Sequence, residues 1–285
     1  MKVFLFLLIL LTQTILSNGA VVNKDSLFFF NSNLVFVPTE SSIFESRIGM
    51  TKFTDKKLLE LDIGASLDLI GYKAGQNTFS FGVDFFTFSS LRSEANFKFP
   101  VDAIDYLFGV NFNYKNNSPR KNPATFIHSL RLRIAHISSH FEDGHIYERT
   151  DTIFTPVVYS KEFINLAAVK EIALHNKVNL KGLIALDYIF HSIPKSISKL
   201  SGQLGMETRY FISDFVSVYL SNDLTLANVN SITNLNENFE GGVSFGGIKK
   251  RSINVYFTYY DGQDYRGQYY GKYLNFKGLG IGFKI

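Results

Sequence analysis

Cysteine and tryptophan are both missing from these 285 residues, and proline occurs only 6 times. Without cysteine there is no disulfide, no thiolate metal site and no cysteine nucleophile, so an exported chain of this size needs another source of stability. Long apolar runs are missing too. Past the amino end, no segment approaches the ~20 consecutive apolar residues that a membrane helix needs. Any membrane structure must then be a closed β-barrel, the other arrangement that satisfies every backbone group in lipid. The net charge of +4, with a pI of about 9.0, rests partly on Lys2 and on short basic turns such as Lys249, Lys250 and Arg251. It is not a nucleic-acid footprint.

The amino end reads Met1, Lys2, an apolar run Val3 to Leu11, then Thr12, Gln13 and Thr14, with Ser17 to Ala20 small and polar. One positive charge, a short apolar core and small residues at a cut site predict a secretory signal peptide over residues 1–20. Residues 21–42 form a mixed lead-in with an apolar patch at Leu27 to Phe30 and no assignable role. Residues 43–285 are expected to fold as one barrel domain, since no linker, repeat or low-complexity tract divides them.

What the chain has in abundance is Phe (29) and Tyr (15), set in period-2 alternation. Phe44, Ser46, Ile48 and Met50 alternate with Glu45, Arg47 and Gly49. Leu59 to Leu69, Phe79 to Phe85, Ile104 to Tyr114 and Leu180 to Tyr188 repeat the pattern, and Leu279, Ile281, Phe283 and Ile285 carry it to the last residue. A helix would put these charges and leucines on mixed faces, so the pattern predicts about twelve strands. The stretch Phe126 to Asp143 is the clearest: Leu130, Leu132, Ile134, His136 and Ser138 share one face, Arg131 and Arg133 the other.

Alternation alone does not say which face is the core. The runs are about ten residues or more, the length a tilted membrane strand needs, against about five or six in soluble sheets. The polar face carries Asp62, Asp68, Asp84, Asp105, Arg131, Arg133, Asp187, Glu207 and Arg209 at mid-strand. A closed barrel would place these in its lumen, Arg131 and Arg133 paired with acids on neighbouring strands. The expected fold is therefore all-β, a transmembrane antiparallel up-and-down barrel with a largely filled lumen. Its outer loops are expected at Phe141 to Thr155, His191 to Ser196, Ala227 to Asn236 and Asp261 to Gly271.

Phe44 to Gly49 (FESRIG), Leu130 to Asp143 (LRLRIAHISSHFED), Tyr159 to Glu162 (YSKE) and Tyr259 to Tyr270 (YYDGQDYRGQYY), with Leu279 and Gly280, resemble a bacterial envelope family catalogued as a domain of unknown function. The resemblance covers most of the mature chain. Family members often carry Leu-Gly-Asp after the second His, where this chain has Phe141, Glu142, Asp143 and Gly144. The resemblance implies a barrel in the bacterial outer membrane; the chain is expected to be a monomer, inserted by the barrel-assembly machinery and in contact with membrane lipids or lipopolysaccharide. It brings no established activity.

The only chemistry in the pattern lies at His136 and Ser138, on the face that continues the lipid-facing leucines. Polar groups there are costly unless partnered. The His-x-Ser placement resembles that of outer-membrane lipid hydrolases, in which the His is base to a Ser nucleophile and an Asn or acid about a dozen residues later orients the ring. The resemblance puts Asp151 in that third position, with Glu148 or Asp143 less well spaced. The alternative is a set of wet interfacial residues. His136, His140 and His145 with Asp143 match no standard metal spacing, and no cofactor is expected. Three roles stay open: an unspecified envelope role, a lipid hydrolase, and a narrow solute channel in which lumen acids favour cations.

Overall fold

The computed structural model describes residues 25–31, 33–117, 127–141, 156–230, 232–246 and 251–284. The expected signal peptide, residues 1–20, lies outside them. Among the described residues there is no α-helix, and the strands are β1 (Ser26–Asn31), β2 (Ile48–Phe53), β3 (Leu58–Ala74), β4 (Asn77–Arg92), β5 (Val101–Asn116), β6 (Ser129–Phe141), β7 (Tyr159–His175), β8 (Val178–Ile193), β9 (Leu200–Phe211), β10 (Val216–Val229), β11 (Ile232–Gly246), β12 (Ser252–Gln263) and β13 (Tyr273–Lys284). Each of β2 to β13 pairs antiparallel with its sequence neighbours, and β13 returns to β2 from Gly278↔Phe53 to Phe283↔Ile48. Twelve strands thus close a barrel.

Burial is inverted relative to a soluble sheet. Arg133 is 2% exposed and Glu240 1%, whereas Met206 is 65% exposed, Ile184 63% and Leu279 59%. Apolar residues form the outer band and charges line the interior, the arrangement a membrane barrel requires. On β6 the alternation falls as expected: Arg131, Arg133, Ala135, Ile137 and Ser139 are buried in the interior, while Ile134, His136, Ser138 and His140 lie on the outer face. At β12 and β13, Gly280 leaves room for the Tyr256 ring, whose Cζ would sit 2.3 Å from a Cβ at that position.

Three expectations are corrected. The run Phe44 to Met50 is strand only from Ile48 onward; Phe44 to Arg47 lie inside the barrel. Residues Ala227 to Asn236, expected as an outer loop, continue β10 and β11 into a hairpin that turns at Asn230, which takes φ 53 as Asn tolerates. His191 belongs to β8 rather than to the loop after it.

The lead-in has a definite place. β1 pairs with the lower part of β3, from Ser26↔Lys73 to Asn31↔Asp68. The chain then leaves the wall, and residues 33–47 cross the lumen before β2 begins. Val35 N donates to Asp68 Oδ2 (2.7 Å), Ser41 Oγ meets Ser221 Oγ (2.7 Å), and Ser42 Oγ donates to Asp223 Oδ2 (3.0 Å). Arg209 Nη2 reaches Glu40 Oε1 at 2.6 Å, and Arg47 Nη2 reaches Glu240 Oε2 at 2.8 Å. Glu45 takes Arg131 and Arg133 together, with Arg133 also 3.0 Å from Asp84. The lumen charges therefore close largely onto this plug, where adjacent strands were expected to supply the partners.

A second element fills the far mouth. Residues 264–272 fold inward: Gly267 N donates to Asp105 Oδ2 (2.7 Å), Gln268 Nε2 to Ser139 O (2.8 Å), and Arg266 Nη1 to Ser90 Oγ (3.0 Å). Beneath it an apolar layer of Phe86, Phe88, Leu107, Ile137, Phe163 and Ile189 packs against Phe44 and Tyr270. The two ends of the barrel are called below the turn end, with Gly75–Gln76 and Asn176–Lys177, and the loop end, with residues 264–272.

Candidate functional site

Strand pairing sets one group of polar side chains on the outer surface toward the loop end. In the register of β6 and β7, His136 stands opposite Glu162 and Ser138 opposite Ser160. β8 brings His191 to the far side of Glu162. The ladder from β7 to β8 slips there, with Glu162↔His191 followed by Phe163↔Ile189. The extra residue in β8 is a bulge, which re-aims a side chain by shifting the alternation. Without it, His191 would sit one position out of phase with Glu162.

The side chains meet. His136 Nδ1 lies 2.7 Å from Glu162 Oε1, and Ser160 Oγ donates to the same oxygen at 2.8 Å. His191 Nδ1 contacts Glu162 Oε2. Side-chain exposures of 41% for His136, 25% for Glu162 and 47% for His191 put the group at the surface, not in the lumen. A carboxylate only accepts, so each imidazole presents Nδ1–H to it. In a neutral His136 ring that tautomer puts the lone pair on Nε2, where a general base requires it.

Ser138 is two residues beyond His136 on the same face of β6, about 7 Å along the strand. No hydrogen bond joins Ser138 Oγ to His136 in this resting arrangement. Catalytic contacts of this kind often tighten only when substrate is bound. His140 continues the face, its ring edge-on to Tyr106 at 5.9 Å.

Of the residues expected from the sequence, His136 and Ser138 share the outer face of β6, with no hydrogen bond between them. Asp151, Glu148, Asp143 and His145 lie outside the described residues. The contact that orients the His136 ring comes from Glu162, within the YSKE segment, 26 residues along the chain. Sequence reasoning passed over it because the partner sits on the adjacent strand. The signal that could have found it was a charged residue placed among apolar positions of the outer face of β7, beside Ile164 and Leu166. Among the described residues no cluster of His, Asp and Glu is arranged to hold a metal ion.

Inside the barrel, plug and wall enclose a cavity of about 390 Å³ that includes Glu40, Arg47, Asp68 and Asp84. A vestibule of about 440 Å³ at the turn end includes Glu171, Lys181, Glu207 and Arg209. A smaller space of about 120 Å³ remains beneath residues 264–272.

Among solved structures, the chain is similar to the outer membrane phospholipase A from Escherichia coli, with a TM-score of 0.51 and 13% identity, over 87% of this chain and 92% of that one. It is also similar to the beta domain of the Bordetella autotransporter Brka, with a TM-score of 0.47 and 11% identity, over 84% of this chain and 98% of that one. At such identities the likeness to the phospholipase shows a common barrel fold and no more. No curated protein matches the chain. The model of a family described as "Protein of unknown function (DUF1207)" matches residues 120–285, more than half of the chain. The protein is an integral β-barrel of the outer-membrane type.

Proposed function

This chain belongs to the DUF1207 family, and we propose that it is an outer-membrane acyl hydrolase acting on membrane lipids, with Ser138 as nucleophile, His136 as base and Glu162 as orienting acid. The observation that carries the reading is the 2.7 Å contact of His136 Nδ1 with Glu162 on the lipid-facing surface, two residues from a serine. Nothing in barrel stability calls for a carboxylate shared by two imidazoles at that place. Partly desolvated polar groups on such a face are destabilising by about 1–3 kcal/mol each when poorly partnered.

In the proposed step, Ser138 Oγ attacks the ester carbonyl of a lipid acyl chain while His136 Nε2 accepts its proton. The tetrahedral intermediate collapses, and the leaving alcohol takes that proton back from His136. Water then attacks the acyl-Ser138 ester, activated by the same nitrogen, and releases the carboxylic acid. Glu162 holds Nδ1–H throughout and stabilises the transient imidazolium, the role of the acid in serine hydrolases generally. Asp151 remains the alternative orienting acid. The surface position gives access to a substrate that never leaves the bilayer, and the likeness in fold to an outer membrane phospholipase A is consistent with it.

The protein is expected to act as a monomer in the bacterial outer membrane, after export by the signal in residues 1–20 and insertion by the barrel-assembly machinery. A solute channel is disfavoured by the plug and by residues 264–272, which occupy the lumen at two levels. Refolded protein in mixed micelles should release fatty acid from phospholipid or lipopolysaccharide, and Ser138→Ala should abolish the release. Equal release by the variant would dismiss Ser138 as nucleophile.

A further inference from the structure

Among the described residues, the barrel wall is interrupted along β3. β3 pairs with β2 at positions Leu59 to Asp62 and with β1 at Asp68 to Lys73. Between them, residues 63–67 have no ladder partner on that side, because the chain that would supply one has turned into the lumen as the plug. Opposite, β13 pairs with β2 as far as Phe283↔Ile48, so that Lys284 is the one residue of β13 that passes the end of β2. The gap therefore has β3 on one side, the end of β13 on the other, β2 above and β1 below. Phe30, at the point where the chain departs, has φ 50, a left-handed conformation rarely taken by an aromatic residue.

The cavity of about 390 Å³ opens behind this gap and reaches both the wall and the lumen. Its wall side is apolar: Phe30, Leu34, Val37, Ala65 and Phe283 line it. Leu34 and Val37 are only half-buried although they belong to a plug otherwise packed tightly, with Val35 and Phe36 each 3% exposed. Two cations stand at its turn-end rim, Arg251, which is exposed, and Lys284, 45% exposed and paired with Glu40.

We infer that this gap is a lateral binding port for a single-chain fatty carboxylate, its acyl chain entering between β3 and β13 and its head held by Arg251 and Lys284. The dimensions select one chain. Five unpaired residues of β3 make the gap about 17 Å long, and where Lys284 faces β3 across the one missing strand the two strand axes are about 10 Å apart. The volume falls within the range of about 300–1,000 Å³ common for small-ligand sites. The port lies across the barrel from His136 and Ser138, and its assignment does not rest on their being catalytic.

The test is photolabelling of the full-length protein in phosphatidylethanolamine vesicles with a palmitic acid analogue bearing a diazirine near its chain end. Labelled peptides are then mapped by mass spectrometry. Label is expected on residues 34–37, 63–67 and 281–284, and excess palmitate should displace it by tenfold or more from the unmodified protein. Val37→Trp, which fills the cavity from the plug, and Leu34→Asp should each lower it at least tenfold, and Arg251→Glu several-fold. Heat-modifiable gel mobility identifies folded variants, and displacement by palmitate tests the port even if none folds. Label spread evenly over the outer band, no displacement, or equal displaceable labelling of the port by a diazirine phosphatidylglycerol would each overturn the assignment.

Discussion

Glu45→Ala should unseat the plug without opening the barrel wall. Glu45 accepts from Arg131 Nη1 and Arg133 Nη2, each at 2.8 Å, and both guanidiniums are buried. Removing one partner of a buried ion pair costs about 3–5 kcal/mol, because the charge left behind is uncompensated. Here the lower end applies: Arg133 keeps Asp84 at 3.0 Å, and Arg131 keeps Asn165 Oδ1 at 3.2 Å and the face of Phe36. A cost of about 3 kcal/mol is a shift of about a hundredfold in the equilibrium between seated and released plug. Hydrogen exchange reads it directly: the Val35, Glu40 and Ser41 amides, bonded to Asp68, Glu207 and Ser221, should exchange about a hundredfold faster. Amides of the β4–β5 ladder should not change. Burial opposes ionisation of Glu45, but Arg131 and Arg133 outweigh it and hold the carboxyl down to about 2, against an ordinary 4.5. A lowered folded-state value means that the ion pairs favour the seated plug fully above about pH 4.5 and are lost only as pH falls toward 2. The plug amides should therefore stay protected at pH 5. Unchanged exchange in Glu45→Ala, or release of the wild-type plug at pH 5, would refute this account.

Glu162→Gln should keep the fold and lower kcat for lipid ester hydrolysis by at least about a hundredfold, since the amide can hold Nδ1–H but does not balance the imidazolium; unchanged kcat would remove Glu162 from the site. His191→Phe, which frees one oxygen of Glu162 but leaves His136 bonded to the other, should reduce kcat by less than Glu162→Gln does, and a larger loss would make His191 the more important imidazole. Gly267→Val should loosen residues 264–272, because a Cβ there would lie 2.3 Å from Tyr159 Cδ1 and 2.6 Å from Ser139 Cβ. Overpacking of this order costs about 1–3 kcal/mol, and faster proteolysis within that segment, with the barrel intact, is the expected readout.

The barrel was legible in the sequence because each strand repeats the same constraint: one face must satisfy lipid, the other a polar interior. That is why Leu130, Ile134, His136 and Ser138 could be assigned to the outside, and Arg131 and Arg133 to the inside, from one stretch. The plug was not legible, since a chain crossing the lumen meets polar and apolar walls in turn and so alternates like a strand. Phe44 packs on the apolar layer while Glu45 meets two arginines, and the pair reads as two steps of a ladder. For Arg131 and Arg133, pairing with adjacent strands is the simplest expectation, but their partners are set by what passes through the lumen. Glu162 was hidden for a different reason. Its closeness to His136 depends on strand register, and its sharing with His191 depends on a bulge, neither of which leaves a local pattern. The β10–β11 hairpin escaped notice because the polar residues around Asn230, where the chain turns, resemble a loop.

The most direct measurement is fatty acid release from phospholipid vesicles by wild-type protein and by folded Ser138→Ala, together with phosphonylation of Ser138 by a fluorophosphonate lipid analogue, in which the serine oxygen displaces fluoride. The account predicts release by the wild type alone, and a covalent adduct at Ser138 that is absent in His136→Ala. Wild-type protein that is folded and plugged yet neither releases fatty acid nor reacts at Ser138 would contradict it.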